Sequence, residues 1–177
     1  MVNSSDFESV LSFGVGLAQK APLRMYAQPR LGRVVLDVRA PSRTVPVRDY
    51  FLNTHRFATG LAPYTVAVYR PVTGSATAFG AMQRLFTGPT QGELARGLKF
   101  VSSGATGFKI LGIRDGVARV QLLGKISSGG STFTIANEIM PTLRQCGSVR
   151  WVKIYDRFGH TERPSGHSDS IPFSLEP

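Results

Sequence analysis

Asp115-Gly116 sits between two apolar runs, Phe108 to Arg114 and Val117 to Leu122. An Asp-Gly pair so placed reads as a two-residue type I′ turn, because both central residues must take positive φ. A β-hairpin at this point is the firmest local constraint in the chain. It sets a strand period for the segments around it. Other short runs fit the same period: Val10 to Leu17, Leu23 to Ala27 and Arg33 to Val38, separated by Pro22, Pro29 and Pro41. The 19 glycines and 11 prolines among 177 residues favour strands and turns over long helices.

A second series begins after the polar stretch Ala40 to Thr44, the expected domain boundary. Val45 to Leu52 and Tyr64 to Arg70 read as strands, with a polar loop from Asn53 to Gly60. Ser75 is suited to cap a helix whose apolar positions are Phe79, Met82, Leu85 and Phe86. Gly88-Pro89 stops it. Thr90 followed by Glu93 is a capping-box pattern for a short second helix ending near Gly97. After the hairpin and a Gly/Ser loop, Thr132 or Thr134 opens a helix with Ile135, Ala136, Ile139, Met140 and Leu143 on one face. Pro141 is expected to kink that helix or mark its boundary, and Gly147 to end it. Ser148 to Tyr155 is the last strand. The order from Val45 is β-β-α-α-β-β-α-β, an α+β fold with the helices on one face of a sheet. A short β-rich partial domain precedes it. The divisions expected are residues 1–42, 46–156 and a polar C-terminal tail at 157–177. The apolar strands of the first division are expected to dock on the second.

Lys and Arg number 21 against 11 acids, for a net charge of +10. That balance bears on partners rather than on fold. It suits nucleic acid, anionic wall polymers or acidic lipid heads. The single cysteine, Cys146, excludes an intramolecular disulfide framework. No apolar run reaches the length of a membrane helix. The opening residues carry Asp6 and Glu8 without a basic flank, so no signal peptide is expected in this sequence.

Catalytic constellations are not expected. Cys146 follows a helix that would bury its thiol. His160 and His167 have no compact metal-ligand spacing, and His55 stands far off in sequence. Ser165, His167 and Asp169 hold the residue types of a triad, but there is no Gly-x-Ser-x-Gly elbow. A small hydrolase using Cys146 or Ser165 is thus the weakest alternative. Gly14-x-Gly16 lacks the third glycine of a dinucleotide site. Helix capping accounts for the anion-binding look of Gly88-Pro-Thr90. No metal and no small-molecule cofactor are expected. The chemistry that remains is binding. Aromatic and basic residues interleave at Tyr69-Arg70, Arg150-Trp151 and Lys153-x-Tyr155, a pattern that can stack rings and neutralise phosphates. The last strand is expected to present Trp151, Lys153 and Tyr155 to solvent. With Arg70, Arg119 and Arg150 they are the candidate binding residues.

The second division resembles the GerMN (sporulation and spore germination) domain. The residues carrying the resemblance are Val47 to Phe51, Val66-x-Val-x-Arg70-Pro-Val72, Leu85-x-x-Gly88-Pro89-Thr90, Asp115-Gly116-x-Ala118-x-Val120, Ala136 to Leu143 and Ser148 to Ile154. They follow one another in family order over about residues 46 to 156. Gln121 departs from the pattern, where an acid is usual, and so does Pro141. Upstream, Asp6 to Leu17, Pro22 to Arg24 and Arg33 to Val38 resemble the C-terminal part of an AMIN-like domain, an arrangement met in actinobacterial envelope proteins. The resemblance implies an extracytoplasmic, non-enzymatic module of binding or assembly. Its partner would be a cell-wall polymer, another anionic polymer, an envelope protein or a second copy of the chain. The other expectation is a basic, cytoplasmic nucleic-acid-binding domain.

Overall fold

The computed structural model describes residues 2–7, 10–15, 20–39, 43–74 and 77–177. Two antiparallel hairpins come first: β1 (Val2–Phe7) with β2 (Val10–Gly14), and β3 (Leu23–Gln28) with β4 (Arg33–Val38). The expected linker at Ala40 to Thr44 and the Ser75 cap fall largely or wholly outside the described residues. The body then runs β5 (Thr44–Asn53), α1 (Thr54–Ala58), β6 (Thr65–Thr73), α2 (Thr77–Thr87) and α3 (Gln91–Ala95). It continues with β7 (Leu98–Lys99), β8 (Ala105–Arg114), β9 (Val117–Gly124), α4 (Ile135–Arg144) and β10 (Trp151–Tyr155). This is an α+β fold, as expected. Its strands divide between two three-stranded sheets, β6-β5-β7 and β10-β9-β8.

The local signals act as their chemistry requires. Asp115 and Gly116 take φ of 53° and 75°, and Arg114 pairs with Val117 across them, as in a two-residue type I′ turn. Glu93 reaches back to the Thr90 N–H at 2.8 Å and starts α3. Two elements add to the expected order. Asn53 accepts the Arg56 N–H at 2.9 Å and turns the polar loop into α1. β7 is two residues long, too short for any period to show. Pro141 lies inside α4, which continues through it to Arg144.

β9 and β10 pair in parallel, so the chain needs a crossover between them, and α4 supplies it. One apolar cluster joins both sheets and both longer helices. It takes Phe51 and Val68 from the first sheet and Val120, Leu122, Val152 and Ile154 from the second. Met82 and Leu85 enter from α2, and Ile135, Ile139 and Leu143 from α4.

α4 also closes the open edge of β5. Gln145 accepts the Arg48 N–H at 2.6 Å, Thr142 the Tyr50 N–H at 3.2 Å, and Glu138 the Leu52 N–H at 2.9 Å. The second Glu138 oxygen accepts the Val101 N–H at 3.1 Å. A helix thus takes the place of a neighbouring strand.

The C-terminal segment is part of this body. The Ile154 N–H donates to the Ser170 carbonyl at 2.9 Å, and the Ser170 N–H to the Val152 carbonyl at 3.1 Å. Leu175 is buried in the core cluster. The β3–β4 hairpin behaves differently from the expectation that it docks. Its side chains are largely exposed, Leu23, Met25, Leu31 and Val34 among them. Among the described residues no helix is long and apolar enough to cross a membrane.

α2 approaches β6 closely through Gly80. A β-carbon there would sit 2.7 Å from Val72 Cβ, which is rigid and itself buried. Gly80→Ala therefore lowers unfolding stability by about 2 kcal/mol through overpacking, although alanine is the better helix former. Urea denaturation of the two proteins measures this.

Candidate functional site

The pairing of β10 with β9 sets Trp151 opposite Val117, Lys153 opposite Arg119 and Tyr155 opposite Gln121. Strand alternation puts these residues on the sheet face away from the helices, while Val152 and Ile154 enter the core. Four expected binding residues, Arg119, Trp151, Lys153 and Tyr155, are therefore brought to one face. That face is not open to solvent as expected. Lys153 is 0% exposed and Tyr155 is buried. The C-terminal segment covers them, and Lys153 itself holds it there. Its ammonium donates to the Ser165 carbonyl at 3.0 Å and to the Arg163 carbonyl at 2.5 Å. Burial pushes the lysine below its usual range, and the nearby Arg119 and Arg163 add to this. Lys153 is a tether for the chain, which corrects the reading of it as a ligand-facing cation.

What stays accessible is a corner at the hairpin turn. The Arg150 and Trp151 N–H groups both donate to the Gly116 carbonyl, at 2.8 and 2.9 Å. Arg150 is exposed, Trp151 is 36% exposed, and Arg119 is half-buried. The turn thus fixes the backbone of two consecutive accessible residues, an arginine and a tryptophan. A second exposed ring stands on the loop after β10. Asp156 Oδ1 accepts the N–H groups of Phe158 at 2.9 Å and His160 at 2.8 Å. This displays Phe158, with the Arg157 guanidinium 4.5 Å from its ring centre.

Arg70 lies elsewhere, on β6 of the other sheet. Its guanidinium grips Glu93 with both prongs, one of them at 2.8 Å, and ties α3 to the sheet. That contact with Arg70 holds Glu93 below the usual glutamate range. Arg70 does not join the other candidates.

Two buried acids were not visible in the sequence as anything but strand and helix positions. Asp49 on β5 is buried, and neither carboxylate oxygen has a hydrogen-bond partner. Burial pushes its pKa to about 7, against the pull of Arg70 and Arg84. Arg84 has a buried, unpartnered Nη2 of its own. Glu138 is pushed to about 8 by burial, against the pull of its two backbone donors. The one sequence signal for it is Glu138 and Thr142 lying four apart beside the apolar stripe of α4.

Cys146, one nucleophile of the weakest alternative, is not activated. Burial raises the Cys146 thiol, and its nearest polar contact is Thr77 Oγ1 at 4.0 Å. An activated cysteine needs the opposite shift. Asp169 accepts the Val152 N–H at 2.9 Å and pairs with Arg144, so its carboxylate is engaged away from a triad. Among the described residues no three His, Cys, Asp or Glu side chains gather around a metal-sized point.

No model of a known protein family matches the chain, and no curated protein matches it in sequence. Among solved structures it is similar to the tandem GerMN domains of the sporulation protein GerM from Bacillus subtilis. The identity is 20% and the TM-score 0.45, over 76% of this chain and 46% of that one. The chain therefore spans about half the length of that structure.

The buried acids give stability a defined pH dependence. Asp49 and Glu138 start from 3.8 and 4.5 unfolded and reach about 7 and about 8 in the fold. Between those values the fold holds protons that the unfolded chain releases, so stability falls as pH rises. Glu93 acts in the other sense, and its contribution is lost below its unfolded 4.5. The melting temperature is expected to drop from about pH 5 to about pH 8, and Glu138→Gln to flatten that slope. Glu138→Ala strands two N–H donors and costs about 3 kcal/mol at pH 5. Glu93→Gln leaves Arg70 without its charged partner and costs about 3 kcal/mol by denaturation at pH 7.

Proposed function

We propose that the chain is a non-catalytic module of the cell envelope that associates with wall material through exposed arginine–aromatic pairs. The observation that carries the reading is the Arg150–Trp151 corner. Its backbone is fixed on the hairpin turn, its indole is accessible, and the preceding residue is an exposed arginine. Rings of this kind stack on flat apolar faces, and an adjacent arginine takes an anionic substituent. A polymer that alternates sugar rings with acidic groups offers both. The sequence resemblance to GerMN and AMIN-like domains supports an extracytoplasmic setting. Buried Glu138 and Lys153 fit a binding role, since each is engaged by backbone groups and joins elements of the fold. A nucleic-acid surface built on Lys153 and Tyr155 is not favoured, because both are buried.

Co-sedimentation with purified peptidoglycan sacculi, at low and high salt and with DNA as competitor, tests this. The expected result is pelleting that resists salt and DNA, and that Arg150→Ala and Trp151→Ala each weaken without changing the melting temperature. Release by salt or DNA would reduce the interaction to net charge and remove the wall reading. Turnover of wall fragments by the pure protein would overturn the non-catalytic one.

A further inference from the structure

The β3–β4 hairpin separates its chemistry cleanly between two faces. Paired residues of an antiparallel ladder share a face. The pairs Leu23–Val38, Met25–Leu36 and Ala27–Val34 therefore form one face that is wholly apolar. The pairs Arg24–Asp37, Tyr26–Val35 and Gln28–Arg33 form the other. The polar face carries contacts of its own. Arg33 Nε donates to Gln28 Oε1 at 2.6 Å, and the Arg24 guanidinium lies 5.7 Å from the Tyr26 ring centre. The apolar face is bare: Leu23 is 59% exposed, Met25 73% and Val34 68%. Leu31, 63% exposed, lies at the tip, inside the turn Pro29–Leu31. An apolar surface this continuous is covered in the working state of a protein, and a two-stranded sheet needs such cover to hold.

Charge decides among the possible covers. Lys20, Arg30, Arg39 and Arg43 lie outside the paired residues of the hairpin, all exposed, while Arg24, Arg33 and the single acid of the stretch, Asp37, stand on the polar face. Two copies stacked face to face would bring these like charges together. An anionic surface would neutralise them while its acyl boundary takes the apolar face. We propose that the β3–β4 hairpin lays its apolar face into the headgroup boundary of an anionic lipid membrane, with Arg30 at the tip and Lys20 and Arg39 at the base holding lipid phosphates. An amphipathic element with basic flanks has this geometry, its long cationic stems reaching back to the headgroups. The inference extends the envelope reading and uses a different part of the chain, so either can fail alone.

Flotation of the whole chain with vesicles of phosphatidylglycerol and phosphatidylcholine, or of phosphatidylcholine alone, tests it. The expected result is binding to the anionic vesicles only. Arg30→Ala weakens it about fivefold. The double variant Met25→Glu, Val34→Glu abolishes it while the melting temperature of the body is kept. Leu31→Trp, which alters neither strand, gives a second readout. Its emission shifts to the blue on anionic vesicles while the hairpin stays intact. Binding that survives the double variant, an unshifted Leu31→Trp emission, or no vesicle binding at all would overturn the proposal. In the last case, a dimer that the double variant dissociates assigns the face to a second copy, and capture by a polyanionic protein alone assigns it to a protein. Pelleting with sacculi is read separately, so loss of one interaction leaves the other measurable.

Discussion

The body of this fold depends on how the free edge of β5 is closed. β5 pairs with β6 along its length but with β7 only at Leu52 and Asn53. The N–H groups of Arg48 and Tyr50 would otherwise be bare, and Leu52 is held by Glu138 as well. α4 closes the edge with residues 138, 142 and 145. A helix rises about 1.5 Å per residue and a strand about 3.3 Å. From Glu138 to Gln145 the helix advances about 10 Å, while Leu52 to Arg48 covers about 13 Å. The two ladders can coincide at one point and must diverge at the ends. The side chains follow that geometry. The short Thr142 sits in the middle, and the long Glu138 and Gln145 reach out at either end. Gln145 adds a return bond to the Arg48 carbonyl at 2.6 Å.

That closure places a carboxyl group deep in the core, and the cost shapes the rest. A buried ionised group without a counter-charge is expensive, so its proton is retained to higher pH. Glu138 answers with two backbone donors in place of a cation. The same economy appears at Lys153, whose charge is met by carbonyl oxygens. Glu93 and Arg70 answer each other directly. Each group joins segments distant in the chain: α4 to β5, β10 to the C-terminal segment, α3 to β6. Buried ionisable groups here set which segments meet, a matter of specificity more than of net stability.

The parts legible in the sequence were those set by neighbours in the chain. The Asp115-Gly116 turn needs only positive φ at two positions. The Thr90–Glu93 box needs only three residues of helix. The stripe of Met82 and Leu85 needs only the helical period. The parts that were not legible depend on partners far away. Glu138 meets Leu52 across 86 residues, and Gln145 meets Arg48 across 97. Lys153 looked like an outward cation because alternation gives the face and says nothing of what covers it. The polar, Ser- and Pro-rich composition of residues 157 to 177 hid the cover. Of the candidate site, Arg150 and Trp151 stay accessible because they sit at the turn, ahead of that segment. Arg70 was drawn in by its tyrosine neighbour, while its true partner came from a helix downstream.

The net charge of +10 therefore does not describe an evenly basic surface. Several cations are neutralised or enclosed in the body: Arg70 by Glu93, Arg144 by Asp169, Arg163 by Glu162, and Lys153 beneath the chain it tethers. The hairpin has no comparable set of acids, since Asp37 stands alone among its arginines. Charge excess and exposed apolar surface thus coincide at β3–β4. Either feature alone has ordinary explanations, such as solubility for the first and scattered surface leucines for the second. Their coincidence on one amphipathic ladder, sorted face by face through its register, is what a chain needs to meet a surface that is both anionic and apolar.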